Sequence, residues 1–142
     1  MAEVVIVGGG LAGCDCAWQL ANAGVSVTLF EMKPEKRSEA HTEDGLAELV
    51  CSNSFRATGP AAAIGLLKEE MESLGSLVME AAFATSVPAG GALAVDRALF
   101  SDYITKKIEG HGLITVVRRE VTSLDDEALV DAMRWSLLPV LC

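Results

Sequence analysis

The sequence lacks the features that mark several classes of protein. It has no apolar run of the ~18 residues that a membrane-spanning helix needs, and no basic region of the kind that begins a signal peptide. We therefore expect a cytoplasmic protein without a membrane partner. Aromatic residues make up only 5% of the 142 residues, whereas hydrophobic residues make up 51% and charged residues 22%. This composition is typical of one globular domain with a sizeable core.

Metal-ligand spacings are also missing, although the sequence has four cysteines and two histidines. Cys14 and Cys16 are two residues apart, so their side chains would point to different faces of a helix. His41 and His111 are far apart in the sequence. No C-x-x-C pair is present, so we expect no metal site. Reduced thiols are the usual state of such cysteines in a cytosolic protein.

Positive charge is scarce, with 11 Lys and Arg against 20 Asp and Glu and a net charge of −9. This balance disfavours a nucleic-acid surface, because proteins that bind phosphates usually carry a basic patch. A net charge does not, however, exclude a local patch. The basic and acidic residues between positions 33 and 56 alternate, which is typical of a mixed, solvated face. They are Lys33, Lys36, Arg37 and Arg56 among Glu35, Glu39, Glu43, Asp44 and Glu48.

Glycine is abundant, and the N-terminal glycines form a motif. Residues 4–7 are apolar and β-branched, residues 8–13 follow the pattern G-x-G-x-x-G, and residues 14–23 have a helical pattern. In such a motif Gly8 permits a tight turn, Gly10 lets the backbone approach a pyrophosphate, and Gly13 allows close packing of the helix. The N–H groups and dipole at the helix start then favour phosphate. The predicted cofactor-binding residues are Gly8, Gly9, Gly10, Leu11, Ala12 and Gly13.

The residues after this loop fit a dinucleotide-binding unit. Gly24 ends the helical pattern, residues 25–30 form a second predicted strand, and Glu31 stands at its end. An acid at this position binds ribose hydroxyls, and its charge would repel a 2′-phosphate. We therefore predict that the loop and Glu31 bind NAD or the adenosine half of FAD, not NADP. The alternative is a buried βαβ unit with a glycine-rich turn and a surface glutamate.

The rest of the sequence alternates between helical and strand patterns. The order, β-α-β, then helices, then β-α-β, predicts an α/β fold with a mostly parallel sheet. Gly75 is expected to divide the long helical region, whose first half should bury Leu67 and Leu74 and leave Lys68 in solvent. The predicted segments are a short helix at 44–50, an irregular stretch at 51–56, helices within 61–85, a strand at 92–96, a helix at 97–109 and a strand at 114–117.

Four segments together resemble a known family. Residues 4–13, 47–54, 65–71 and 88–97 read VVIVGGGLAG, AELVCSNS, GLLKEEM and PAGGALAVDR. By these motifs the chain resembles, up to about Val121, the N-terminal part of the folate- and FAD-dependent tRNA (uracil-5-)-methyltransferases, which are bacterial flavoproteins. The resemblance implies a Rossmann-like FAD-binding domain of the glutathione-reductase type, incomplete here, over residues 1–122. Residues 123–142 would be a tail without a family counterpart.

The resemblance also implies an activity, the methylation of uridine 54 in the T-loop of tRNA. Methylenetetrahydrofolate would supply the carbon, reduced FAD would supply electrons, and NADH or NADPH would reduce the flavin. The implied partners are therefore tRNA and folate. For the glycine loop and Glu31, the resemblance selects FAD over NAD.

Cys51 corresponds in this resemblance to an active-site cysteine, and it is the predicted catalytic residue. A cysteine nucleophile needs a nearby base or positive charge, and Arg56, five residues later, is a candidate source of that charge. Asn53 and Ser54 are candidate polar contacts to flavin or substrate. From composition alone, Cys51 would instead be a buried small hydrophobic residue.

The chain departs from the family in its length. Family members are much longer and carry a second catalytic cysteine, which Cys142 does not match in context or spacing. We therefore expect a truncated relative or one piece of a longer protein. Two alternatives stay open: a non-catalytic dinucleotide-binding remnant, and a relative of the FAD proteins that modify the wobble uridine of tRNA.

Overall fold

The chain forms strands and helices in alternation over residues 3–127 and 129–131, which are those that the computed structural model describes. Cys142 and the rest of the predicted tail lie outside these residues. The elements are β1 (Glu3–Val7), α1 (Leu11–Asn22), β2 (Ser26–Glu31), β3 (Ser54–Ala57), α2 (Ala63–Ser73), α3 (Leu77–Ala84), β4 (Ser86–Val87), β5 (Ala92–Val95), α4 (Arg97–Glu109) and β6 (Ile114–Arg118).

A three-stranded parallel sheet with the order β1-β2-β6 forms the centre of the fold. Val27 of the middle strand pairs with Val4 on one side and Ile114 on the other. Val27, Leu29 and Phe30 of this strand are buried, because a central parallel strand is covered on both faces. The structure thus confirms the predicted α/β fold with a Rossmann-like parallel unit.

A second sheet is antiparallel and differs from the mostly parallel arrangement predicted. Its order is β3-β5-β4, with Ser54 opposite Ala94 and Ser86 opposite Val95. The stretch predicted to be irregular therefore contains a strand. β5, α4 and β6 connect two different sheets, so they are not a second parallel β-α-β unit. Pairing between segments that are distant in the sequence decides this, and local patterns do not show such pairing.

Most helices lie where the sequence predicts them, but α1 begins at Leu11, three residues before the predicted helical pattern. Gly75, with a φ of 75°, separates α2 from α3 as predicted. Asp96 caps α4 by accepting a hydrogen bond from the Leu99 N–H, as expected of aspartate at an N-cap. Residues 44–50 form no helix; they are a loop that docks onto other elements.

The predicted buried face of α2 is wrong. The side chains of Leu67 and Leu74 are 53% and 75% exposed, whereas Lys68 is only 7% exposed. The Lys68 ammonium donates to the Ala57 carbonyl at 2.8 Å, which replaces the hydrogen bonds that it would make to water. The apolar residues of α2 border an open groove of about 370 Å³ that Phe55 also lines.

The main core lies where α1 and α4 pack against the parallel sheet and α3 packs against both helices. Ala17 and Ala21 of α1 are buried here, and these small side chains allow close approach. Phe100 and Ile104 of α4 are also buried. No helix among residues 3–127 and 129–131 is long and apolar enough to cross a membrane.

Candidate cofactor site

A cavity of about 310 Å³ lies at the carboxyl ends of β1, β2 and β6. This edge is where open parallel sheets bind their ligands. The cavity brings together two sequence-predicted features that α1 separates along the chain, the glycine loop and Glu31. Its lining consists of Val7, Gly8, Gly9, Gly10, Phe30, Glu31, Met32, Lys33, His41, Glu48, Arg119, Glu120 and Val121.

The three motif glycines have different surroundings. Gly8 has a φ of 107°, a backbone conformation that side chains rarely permit. A Cβ at Gly10 would meet nothing within 4 Å, so the backbone there is open to a ligand. A Cβ at Gly13 would overlap the Gly8 carbonyl oxygen. The close approach at Gly13 is therefore to the loop itself, rather than to the sheet alone.

Helix α1 begins beside the cavity without a side-chain cap among the described residues. The N–H groups in the first turn of a helix have no partner within the helix, so this end is suited to an anion. Leu11 and Ala12 begin the helix, but they border the α2 groove and not the 310 Å³ cavity.

Glu31 is buried, and both oxygens of its carboxylate accept hydrogen bonds from the backbone. Oε2 accepts from the Gly9 N–H at 2.8 Å, and Oε1 accepts from the Lys33 N–H at 2.9 Å. Each carboxylate oxygen can accept more than one hydrogen bond. Glu31 can therefore still accept hydroxyl groups from a ligand in the cavity.

The Gly9 carbonyl is held as firmly as its N–H group. It accepts a hydrogen bond from the Ala47 N–H at 2.8 Å and from the Cys14 thiol at 3.3 Å. Burial, reinforced by the charge of Glu31, raises the pKa of Cys14 to about 12, so the thiol stays protonated as the donor. The peptide groups of Gly9 are thus fixed on both sides, which predetermines the shape of the loop.

A buried ion pair closes the cavity wall, and the sequence interpretation missed it. Lys33 donates from Nζ to Glu48 Oε2 at 2.9 Å and to the Gly45 carbonyl at 2.7 Å. The side chains are 3% and 7% exposed, so these residues are not part of a solvated face. Burial alone would raise the pKa of Glu48, but hydrogen bonds from Thr42 and Lys33 outweigh it and lower the pKa to about 2.

The loop before Cys51 is docked onto α4. The Leu46 N–H donates to Thr105 Oγ1 at 2.9 Å, and Ser101 Oγ donates to the Leu46 carbonyl at 2.6 Å. A Cβ on Gly45 would overlap Ser101 Oγ, so only glycine fits there without a shift. This docking fixes the loop that also holds Gly9 through Ala47.

Cys51 itself is exposed, so the alternative of a buried small hydrophobic residue is wrong. It lines neither the 310 Å³ cavity nor the α2 groove. Two residues later, Asn53 accepts at its carbonyl from the Val95 N–H at 2.9 Å and donates from Nδ2 to the Val95 carbonyl at 3.1 Å. Asn53 therefore stabilises the second sheet through its hydrogen bonds to Val95.

Metal ligands do not gather in the part of the chain that the structure describes. No three side chains of His, Cys, Asp or Glu there are grouped so that they could hold an ion.

A phosphate-type glycine loop, a buried acid at the end of the second strand and a cavity that both of them line define a Rossmann-like dinucleotide-binding domain. The chain belongs to the glucose inhibited division protein A family, whose model matches residues 3–135.

The chain is also similar in sequence to two curated relatives. The chain is 62% identical over 128 residues to the methylenetetrahydrofolate–tRNA-(uracil-5-)-methyltransferase TrmFO of Citrifermentans bemidjiense, covering 90% of this chain and 29% of the relative. It is 63% identical over 132 residues to the TrmFO of Nitratidesulfovibrio vulgaris, covering 93% of this chain and 28% of the relative. The chain thus spans less than a third of these relatives.

Among solved structures, GidA of Aquifex aeolicus matches with a TM-score of 0.63 and 19% identity, covering 82% of this chain and 19% of that chain. At this identity the match supports the fold alone.

Proposed function

We propose that this chain is the FAD-binding N-terminal part of a flavoprotein that forms 5-methyluridine at position 54 of tRNA. The observation that carries the proposal is the cavity in which the open backbone of Gly10 faces the same space as the buried carboxylate of Glu31. The similarity to the tRNA methyltransferases selects this chemistry among those that dinucleotide domains support.

The residues of the cavity fit the adenosine diphosphate part of FAD. Gly8, Gly9 and Gly10, with the uncapped start of α1, would hold the pyrophosphate through backbone N–H groups. Glu31 would accept the ribose hydroxyls, and its charge disfavours a 2′-phosphate. Bound FAD would supply the electrons for methyl formation, with NADH or NADPH as reductant and methylenetetrahydrofolate as carbon donor.

Cys51 is the proposed nucleophile. Its exposed position leaves it accessible to a tRNA base. Attack of its thiolate on C6 of uracil would make C5 nucleophilic, which is the carbon that receives the methyl group. The rigid loop before Cys51, docked onto α4, would limit the motion of the nucleophile during this attack.

A methylation assay tests the proposal. The natural protein that contains this chain is incubated with unmodified tRNA, FAD, methylenetetrahydrofolate and NADH or NADPH, and 5-methyluridine is measured by mass spectrometry. The proposal predicts product with the wild type and none with Cys51→Ala, while both proteins retain flavin. Flavin binding without product in the wild type would favour the non-catalytic remnant. A product at the wobble position would favour the second alternative.

The proposal includes a cytoplasmic location. Intact-mass measurement of the natural protein distinguishes a truncated relative from one piece of a longer protein. A native mass of 14.9 kDa would match the short chain, whereas a mass several times larger would show that the sequence is one piece of a longer protein.

A further inference from the structure

Most of the basic side chains in this acidic chain are paired with acids or carbonyl groups of the same chain. Among the basic side chains in residues 3–127 and 129–131, only those of Arg56 and Arg97 have no acidic or carbonyl partner, and both residues are exposed. The others are held by acids at Lys33, Lys36, Arg37, Lys106, Lys107, Arg118 and Arg119, and by backbone carbonyls at Lys68.

The two arginines without a partner and Cys51 all lie near the pairing of β3 with β5. Asn53 and Val95 face each other and are joined by two hydrogen bonds. Cys51 precedes Asn53 by two residues, and Arg97, the first residue of α4, follows Val95 by two residues. Arg56 lies on the other side of Asn53, within β3. Both unpaired arginines are therefore within a few residues of the hydrogen-bonded pair that lies next to the proposed nucleophile.

Arg56 is held in an unusual backbone conformation. Its φ is 64°, in the left-handed region that few residues other than glycine and asparagine adopt. The register explains this strain, because three residue steps from Ser54 to Ala57 face only two from Ala94 to Ala92. The extra residue makes a bulge, and bulges next to active sites re-aim a side chain. The preceding Phe55 packs against Phe100 at 5.5 Å, which anchors the bulge.

The caps and acids around these arginines do not neutralise them. Asp96 precedes Arg97 directly, but its carboxylate accepts the Leu99 N–H at 3.0 Å and caps α4. Ser54, two residues before Arg56, accepts the Arg56 backbone N–H with its hydroxyl at 3.1 Å. Neither guanidinium group therefore has an acidic partner among the described residues.

We propose that Arg56 and Arg97 bind backbone phosphates of the tRNA strand whose uridine reaches Cys51. This inference rests on the proposed function and names the contacts for its substrate. In a chain of net charge −9, an unpaired arginine is the group that a polyanion can use.

The salt dependence of tRNA binding tests this proposal. Binding of a fluorescent tRNA transcript to the purified 142-residue chain is measured by anisotropy between about 50 and 200 mM KCl, a range over which phosphate contacts change affinity strongly. Arg97→Gln and Arg56→Asn are the test variants, and asparagine is chosen because it tolerates a left-handed φ. Lys106→Gln is the matched control, since Lys106 lies on the same helix as Arg97 and is paired with Asp102.

Each test variant should bind tRNA severalfold more weakly, and the slope of log K against log salt should fall by about 0.9 for each lost phosphate contact. Lys106→Gln should leave both quantities unchanged, and Arg97→Lys should restore the slope. Equal slopes in the wild type and both test variants would overturn the proposal, as would a wild type that does not bind tRNA. The flavin content of the wild type is measured separately. A wild type without flavin would contradict the proposed FAD site and would leave the arginine contacts unaffected.

Discussion

The amide N–H of Gly9 donates to the carboxylate of Glu31 across 2.8 Å, so the glycine loop and the acid at the end of β2 are joined in the absence of a ligand. The Lys33 N–H holds the second oxygen. The carboxylate therefore keeps one orientation, with its remaining acceptor capacity available at the cavity. A site that is fixed in this way loses less entropy on binding than a flexible one.

Glu31→Gln should weaken both the fold and the proposed cofactor site. A glutamine side chain has one acceptor oxygen, so one of the two backbone N–H groups would face the amide NH₂. Leaving a buried donor without an acceptor costs about 1–3 kcal/mol. Urea unfolding without FAD should show a loss of this size in the free energy of unfolding. The exposed Glu39→Gln variant is the control, and equal stabilities for the two variants would contradict the role of Glu31 in the loop.

Alanine substitutions at Gly13 and Gly10 should have different effects on the melting temperature. Gly13→Ala gains helix propensity of about 1 kcal/mol, but its Cβ would overlap the backbone oxygen of Gly8, and such overpacking costs about 1–3 kcal/mol. We expect Gly13→Ala to lower the melting temperature. Gly10→Ala meets no atom within 4 Å and should melt like the wild type in the absence of FAD. A Gly13→Ala variant as stable as the wild type would show that the loop has room to move.

The sequence predicted those parts of the site that depend on local order. The strand, the glycine spacing and the acid all lie between Val4 and Glu31, and their geometry follows from one β-α-β unit. Lys33 and Glu48 were interpreted as members of a solvated face because their neighbours alternate in charge. Only the docking of loop 44–48 against α4 shows that they are buried, and this docking depends on Ser101 and Thr105, which are distant in the sequence.

The second sheet and the buried face of α2 were not predicted, for a similar reason. The pairing of Ser54 with Ala94 joins distant segments, and no periodicity within either segment specifies the partner. Lys68 has the position of a solvent residue on the helical pattern, yet the Ala57 carbonyl at the end of β3 gives it a buried acceptor. Cys51 matches a family segment, and the structure places it on the surface.

The free energy of unfolding should depend on pH through the ionisation of Glu48. Its folded pKa of about 2 lies below the ordinary value of 4.5, so the unfolded chain takes up the proton first. The stabilisation is complete above pH 4.5 and is lost as the pH falls towards 2. The difference in the free energy of unfolding between the wild type and Glu48→Gln should therefore be positive at pH 7 and shrink at pH 3. A difference that does not change with pH would contradict the low pKa of Glu48.

The cysteines should differ sharply in reactivity. Cys14 is buried, and burial raises its pKa to about 12, whereas Cys16 and Cys51 are exposed. Iodoacetamide at pH 8 should therefore label Cys16 and Cys51 in the native chain and Cys14 only in urea, because the thiolate is the reactive form. Peptide mass spectrometry assigns the sites. Rapid labelling of Cys14 in the native state would show that the Gly9 loop opens readily.

The most direct test of the FAD site is an equilibrium titration of the chain with FAD, followed by flavin fluorescence. Gly10→Arg would place a side chain where the pyrophosphate must approach, and Gly112→Arg, at another glycine with open space around it, is the matched control. We predict saturable binding to the wild type and to Gly112→Arg, and none to Gly10→Arg. A wild type that does not bind FAD, or a Gly10→Arg variant that binds it as tightly as the wild type, would contradict the assignment of this cavity to FAD.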